Sequence, residues 1–246
     1  MTEGVAGRDA ARPAGPSVGV AVPAAGTGQR MGGRKKPWLE LGGEPLLLHA
    51  LRPLLAHPAV VAVHVALSPG DASAPPAWLV DLDPRVRIVQ GGSNRAESVR
   101  LAIGSLPPDV GVIVVHDGAR PFLDPAVLDR CIDMASSGSG AVAGVPATDT
   151  LKDVDGDQTI VTTPDRRRLW HAHTPQAFPA AMIRDAYERL TDLGAVSDDA
   201  SAVEAAGGRV LMVPDSPWNL KVTRPADLHL AELILSAGPH GDEGLE

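Results

Sequence analysis

The sequence predicts an α/β fold: a mostly parallel sheet with helices on both faces and a projecting β-hairpin arm. Three observations lead there. Short β-branched runs alternate with apolar stripes at helical spacing from Val18 to Leu235, which is the signature of βαβ units. Hydrophobic residues make up 44% of the chain but aromatics only 3%, so the core is built from Ala, Val, Leu and Ile, a composition suited to central parallel strands and covering helices. The alternation breaks once, between Pro146 and Arg168, into a polar stretch too poor in apolar residues to join the main core.

Val18–Val22 is the first strand, and it opens onto a Gly-rich loop. Leu47, Leu51, Leu54 and Leu55 recur at helical spacing, and Pro53 predicts a kink or an early end. Val60–Leu67 and Val86–Val89 read as buried strands. Val99, Ala102, Ile103 and Leu106 mark a helix that Ser93 or Asn94 would cap, and Val112–Val115 is again a continuous apolar strand. Val127, Leu128, Cys131 and Ile132 form the next helical stripe and Ala141–Val145 the next strand. The polar stretch follows, with Asp149, Lys152, Asp153, Asp155 and Asp157 around β-prone Thr159–Thr163, and reads as the arm, at about 146–168. Helical spacing resumes at Met182, Ile183, Ala186 and Leu190, then at Ala200, Val203 and Ala206. A strand at Arg209–Val213 and a helix through Leu228, Ala231, Ile234 and Leu235 close the pattern.

At roughly 150 residues per domain, 246 residues allow one large domain or two small ones. Neither an internal repeat nor a dividing linker is visible, so residues 17–237 are expected to form a single domain between disordered tails at 1–16 and 238–246. The formal net charge of −8 argues against a nucleic-acid partner. No run reaches the roughly 18 apolar residues of a membrane span, and the N-terminus lacks the apolar stretch of a secretory signal. The single Cys131 cannot form an intramolecular disulfide. These features lead us to expect a cytoplasmic protein with no membrane partner.

The Gly-rich loop runs Pro23-Ala24-Ala25-Gly26-Thr27-Gly28-Gln29-Arg30-Met31-Gly32-Gly33-Arg34-Lys35-Lys36. Glycines after a strand let the backbone turn sharply and bring its N–H groups close to an anion. No P-loop can be drawn through it, and Met31 occupies the place where a dinucleotide fingerprint needs Gly or Ala. Between Gly26 and Lys36 there are four cations and no acid. A cationic run by itself reads as a solvated turn. At the carboxyl end of a strand in an open α/β sheet, where ligands bind, it reads as a polyphosphate site.

Ala24-Ala25-Gly26-x-Gly28-x-Arg30-Met31 with a following Lys resembles the opening signature of sugar-nucleotide and related nucleotidylyltransferases. Six further motifs extend the likeness: Gly91-Gly92-Ser93-Asn94-Arg95-x-x-Ser98-Val99, Val115-His116-Asp117-Gly118-Ala119-Arg120-Pro121, Asp149-Thr150-x-Lys152, Thr174-Pro175-Gln176, Asp198-Asp199-Ala200-Ser201, and Asn219-Leu220-Lys221-Val222-Thr223. Together, from about Val18 to Ile234, they resemble the 2-C-methyl-D-erythritol 4-phosphate cytidylyltransferase family of the non-mevalonate isoprenoid pathway. The resemblance implies a Rossmann-like fold and a homodimer whose arms exchange. It implies cytidylyl transfer from CTP to 2-C-methyl-D-erythritol 4-phosphate, releasing pyrophosphate, with Mg²⁺ or another divalent cation on the triphosphate.

Such a transfer joins two anions, so catalysis consists mainly of charge neutralisation and in-line positioning. Arg30 and a lysine at 35 or 36 suit that task, and the resemblance assigns it to Arg30 and Lys36. It further implies that Ala24, Ala25, Gly26 and Gly28 hold the nucleotide, and that Gly92, Ser93 and Ser98 read the cytosine. On residue chemistry alone, Ser93 is a plain helix cap. Asp117, directly after four apolar strand residues, is costly to bury unless it is paired. It either caps a turn or pairs with Arg120, or else it holds Mg²⁺ or substrate hydroxyls. Arg120 would contact the methylerythritol phosphate. The resemblance places Asp149, Thr150 and Arg166 on the arm, reaching a neighbour's site, with Arg166 and Lys221 positioning the attacking phosphate. His116, Trp170 and Trp218 read as structural, and Asp198 as a helix cap. The rivals are a cytidylyltransferase for another polyol phosphate, such as ribitol 5-phosphate, and a non-catalytic nucleotide-binding module. NAD-dependent oxidoreduction is disfavoured by Met31 and the cationic loop.

Overall fold

A computed structural model describes residues 15–26 and 35–238. Most of the two expected tails, and residues 27–34 of the Gly-rich loop, lie outside the described residues. The main sheet has seven strands: β1 (Val18–Pro23), β4 (Val60–Leu67), β5 (Val86–Gln90), β6 (Val112–Val115), β7 (Gly140–Pro146), β10 (Trp170–Pro179) and β11 (Val210–Pro214). Their spatial order is β11-β7-β10-β6-β1-β4-β5. Every neighbouring pair is parallel except those of β10, which runs antiparallel to β6 and to β7. The sheet is therefore mostly parallel, as expected, with one reversed strand inside it.

Alternation along the strands sorts the core into two layers. Val18, Val20 and Val22 of β1 face helices α1 (Leu46–Ala56) and α5 (Pro125–Ser136), where Leu47, Leu51, Leu128 and Ile132 pack. Ala21 faces the other way, towards α4 (Arg95–Ser105), α6 (Ala180–Arg189) and α7 (Asp199–Ala205), which contribute Val99, Ile103, Ile183, Tyr187 and Val203. Gly19 on that same side packs closely, since a Cβ there would lie 3.1 Å from the Leu106 side chain. A third cluster joins α8 (Pro225–Ala237), through Ala231 and Ile234, to Leu41 and Leu46 beside the small hairpin of β2 (Glu40–Leu41) and β3 (Glu44–Pro45).

Four features differ from the sequence reading. Pro53 does not end α1; the helix continues to Ala56, with Leu51 and Leu54 fully buried, and their packing outweighs one lost backbone bond. Val86–Gln90 is an edge strand with no fully buried residue. Asn94, not Ser93, caps α4, accepting from the Glu97 N–H at 2.8 Å. Strand β10 has no signal in the sequence, since its polar and proline-containing stretch shows neither apolar alternation nor a continuous apolar run, yet it buries Thr174 and Gln176.

The polar stretch between β7 and β10 does form a hairpin. Strands β8 (Asp153–Val154) and β9 (Ile160–Thr162) pair antiparallel and are exposed at every residue. Gln158 supplies the turn at φ 63°. Phe178 of β10 is the largest fully buried side chain and lies in the α4, α6 and α7 layer. Phe178→Ala is expected to cost about 3 to 5 kcal/mol of unfolding free energy, measured as a lower urea midpoint at unchanged slope.

Candidate active site

Because β4 and β5 continue outward from one side of β1 while β6 begins on its other side, the strand order reverses between β1 and β6. Loops leaving the carboxyl ends of such strands part and open a crevice. A cleft of about 910 Å³ lies there. Its walls are residues 23–26 at the end of β1, Ser68 and Pro69 after β4, 90–95, 97 and 98 at the end of β5 and beyond, and 117–119 after β6, closed by Lys36 and Lys221. The sequence motifs from separate strand ends thus meet at one place.

Close backbone approach sets the width of the cleft. A Cβ on Gly91 would lie 2.6 Å from Ala25 Cβ and 3.1 Å from the Leu67 carbonyl, so this position admits only glycine without moving the wall. The next turn is tied internally. The Gly92 N–H donates to Ser98 Oγ at 3.1 Å, and the Ser98 hydroxyl donates to the Asn94 carbonyl at 2.9 Å. The Ser93 N–H and hydroxyl both donate to Glu97 Oε2 at 2.7 Å. Gly92, Ser93 and Ser98 all line the cleft, and these bonds also hold its wall rigid.

Asp117 occupies the floor, with its side chain 7% exposed. Its Oδ2 lies 2.6 Å from Lys221 Nζ and its Oδ1 receives Arg95 Nε at 2.9 Å. Burial alone would raise its pKa; Arg95, then Lys221 and Arg120, overcome this and hold it well below the usual carboxylate range. Arg95 also donates from Nη2 to Asp199 Oδ2 at 2.8 Å, and Asp199 Oδ1 accepts the Tyr187 hydroxyl at 2.6 Å. Desolvation opposes the Arg95 charge, but Asp199 and Asp117 outweigh it and keep the guanidinium charged.

Beneath the floor lies a second polar layer. The Asp117 N–H donates to Thr174 Oγ1 at 3.0 Å, and that hydroxyl meets His116 Nδ1 at 3.1 Å. His116 Nε2 is 3.1 Å from the Arg120 carbonyl, which can only accept, so Nε2 carries the proton and Nδ1 accepts from Thr174. Burial pushes the His116 pKa down to about 4. The Thr174–Pro175 peptide is cis. Asn219 Nδ2 donates to the Thr174 carbonyl at 2.8 Å and to Asp215 Oδ2 at 2.7 Å, and the Val222 N–H donates to the Ala119 carbonyl at 2.9 Å. These bonds, two residues before and one after, are what bring Lys221 to Asp117.

The remaining expected site residues fall elsewhere. Ala24, Ala25, Gly26 and Lys36 line the cleft, whereas Gly28 and Arg30 lie outside the described residues. Arg120 does not line it; the side chain is 8% exposed, with Nη1 donating to the Asn219 carbonyl at 2.5 Å and Nε 3.9 Å from Asp117 Oδ2. Asp149, Thr150 and Arg166 sit on the exposed arm outside the cleft, and Arg166 donates to the Thr148 carbonyl. Arg95 stands inside a motif yet receives no role from the sequence, although a cation opening a helix after a glycine turn was the available signal. Asp198 caps α7 as expected, while Trp170 and Trp218 are more than one-third exposed. Among the described residues, no group of three or more His, Cys, Asp or Glu could cage a metal ion.

Comparison with known proteins places this geometry in a family. Residues 18–237 match the family model described as 2-C-methyl-D-erythritol 4-phosphate cytidylyltransferase. The chain belongs to that family. A 2-C-methyl-D-erythritol 4-phosphate cytidylyltransferase of Haemophilus influenzae is 42% identical over 222 residues, 89% of this chain and 97% of its own. One from Aeromonas hydrophila is 45% identical over 226 residues, 89% and 90% of the two chains. The crystal structure of the enzyme from Thermus thermophilus superposes with a TM-score of 0.75 at 30% identity, covering 89% of this chain and 99% of that one. The cytidylyltransferase motifs at residues 24–26, 91–98, 117–119 and 221 are the ones that meet in the cleft.

The buried, neutral His116 makes stability depend on pH. Its folded pKa of about 4 lies below the ordinary 6.5, so the unfolded chain binds more protons between these values. Its contribution to stability is complete above pH 6.5 and is lost as pH falls from 6.5 towards 4. Thermal unfolding midpoints measured across this window should decline with acid, and His116→Gln should flatten that decline.

Proposed function

We infer that the protein transfers the cytidylyl group of CTP to 2-C-methyl-D-erythritol 4-phosphate, giving 4-diphosphocytidyl-2-C-methyl-D-erythritol and pyrophosphate for isoprenoid precursor synthesis. The observation that carries this reading is the cleft at the β1/β6 switch point, walled by the family's own motifs and supplied with Lys36, Arg95 and Lys221. An oxygen of the methylerythritol phosphate attacks the α-phosphorus of CTP. A new P–O bond forms as the bond to the pyrophosphate oxygen breaks, and pyrophosphate leaves with the electron pair. The attacking oxygen is already anionic, so the protein needs no general base; it must hold two anions together.

The chain divides that work among its loops. Ala24, Ala25 and the turn at 91–98 form the nucleotide wall, where glycines admit the base and fixed backbone dipoles select it. Lys36 and Lys221 stand on separate loops, placed to take charge from the triphosphate and from the incoming phosphate. The family resemblance assigns Arg30 a further cationic role at the α-phosphate. Asp117 sets the position of Lys221, and it would hold a divalent cation only by giving up part of its pairing with Lys221 and Arg95. Magnesium bound by substrate phosphates and one carboxylate is an ordinary arrangement, and this donor set fits it better than a cage of protein ligands. The ion would neutralise phosphate charge when bound.

The arm supports a homodimeric reading. Val154, Ile160 and Val161 are each roughly half exposed or more, and the hairpin carries Asp149, Thr150 and Arg166 away from their own cleft. We propose that it docks on a second copy and delivers Arg166 to the partner's substrate phosphate. No helix among the described residues is long and apolar enough to cross a membrane. The cytoplasmic reading is supported by the single Cys131, which leaves no intramolecular disulfide to form.

Pyrophosphate release with CTP and each polyol phosphate tests the assignment. Turnover is expected with methylerythritol phosphate; its absence alongside turnover with ribitol 5-phosphate would sink the proposed substrate. A mixture of Arg166→Ala and Lys36→Ala proteins tests the arm. Each alone should be nearly inactive, and mixed dimers should regain activity because one of their two sites is intact; no recovery after verified subunit exchange means that the arm does not act in trans.

A further inference from the structure

We propose that Asp71 is a positioning residue that fastens residues 35–38 at the cleft wall, so that Lys36 rather than Lys35 is presented to the nucleotide. The proposal rests on the reading of Lys36 as a phosphate-binding group. Two adjacent lysines follow the Gly-rich loop, and residue type alone makes them equivalent. The structure separates them. Lys35 Nζ lies 2.7 Å from Asp71 Oδ1, whereas Lys36 lines the cleft.

Asp71 is itself well held. Its Oδ2 accepts the Ser68 hydroxyl at 2.6 Å, and Ser68 caps helix α2 (Pro69–Ser73) while lining the same cleft. Burial would raise the Asp71 pKa, but Lys35, Ser68 and the Trp38 indole hold the carboxyl below its ordinary value. The carboxylate therefore holds residue 35, immediately before Lys36, by direct contact. Trp38 is fixed edge-on against Trp78 of helix α3 (Ala77–Val80), with ring centroids 6.1 Å apart. The intervening backbone is a 3-10 turn, Lys36–Trp38, with Pro37 buried. With both flanks pinned, the direction in which Lys36 leaves the backbone is set.

Lys35 is 49% exposed, and an ion pair this solvated adds little to global stability. Its consequence is orientation, which separates it experimentally from a structural role. In the full chain, Asp71→Asn should lower kcat about tenfold, the scale expected of a slightly misplaced catalytic group. KM for methylerythritol phosphate and the thermal midpoint should stay unchanged. Lys35→Met, which breaks the same bond from the other side, should act in the same direction. In a Lys36→Ala background, Asp71→Asn should have no further effect, because it acts through Lys36. Parent-like kcat in Asp71→Asn and Lys35→Met, with Lys36→Ala inactive, overturns the positioning role alone, as does an Asp71→Asn effect of equal size in both backgrounds. Parent-like kcat in Lys36→Ala overturns the underlying reading of Lys36.

Discussion

The buried carboxylate of Asp117 organises the centre of this protein. Taking a carboxylate out of water costs several kcal/mol unless cations and hydrogen-bond donors surround it. Here Arg95 and Lys221 contact it directly, Arg120 stands behind it, and the backbone beneath is held by Thr174. Each partner comes from a different part of the chain: the start of α4, the loop before α8, the turn after β6 and the reversed strand β10. The charge can be accommodated only when all of these elements have assembled. The same condition collects cations at the floor of a cleft that must receive phosphate.

Arg95 extends this constraint outward. Its second bond, to Asp199, and the Tyr187 hydroxyl on that carboxylate link the cleft to α6 and α7, elements with no lining residue of their own. On the other side, Asn219 and Asp215 hold the segment that presents Lys221, with His173 Nδ1 2.8 Å from Asp215. His116 belongs to this supporting layer: it is neutral, fully buried and hydrogen-bonded through both nitrogens, so its place in the motif reflects packing and polar satisfaction. Arg95, Lys221 and Lys36 face the cleft, which lets the site bind anions while the chain as a whole carries a net charge of −8. An average over the surface says little about a cleft that gathers a cationic minority.

Much of the architecture was legible because the apolar periods were clean. Val18–Pro23, Val60–Leu67 and Val112–Val115 are buried on both faces, and such strands read as continuous β-branched runs. The amphipathic stripe of α5 is equally direct. Strand β10 was illegible for a physical reason: its central residues answer to polar partners under the site, so they carry no hydrophobic period. Glycine positions sit between these extremes. The motif showed that Gly91 and Gly92 lie in a turn, but only the neighbouring loops show that a Cβ on Gly91 would strike Ala25.

By itself, the sequence determined the α/β class, the order of most of the main elements other than β10, the exposed arm and the family whose motifs wall the cleft, because periodicity, turn residues and local motifs are properties of neighbours along the chain. The tertiary structure decided which of those residues meet. It turned Lys35 to Asp71 and Lys36 to the cleft, drew Arg120 beneath the floor, left Asp149, Thr150 and Arg166 on the arm, and gave Arg95 a place between two carboxylates. Electrostatic pairing depends on distances of a few ångströms between groups that lie far apart in the chain, as Arg95 and Asp199 do. No local pattern encodes such a distance; the packing of the sheet and its two helical layers does.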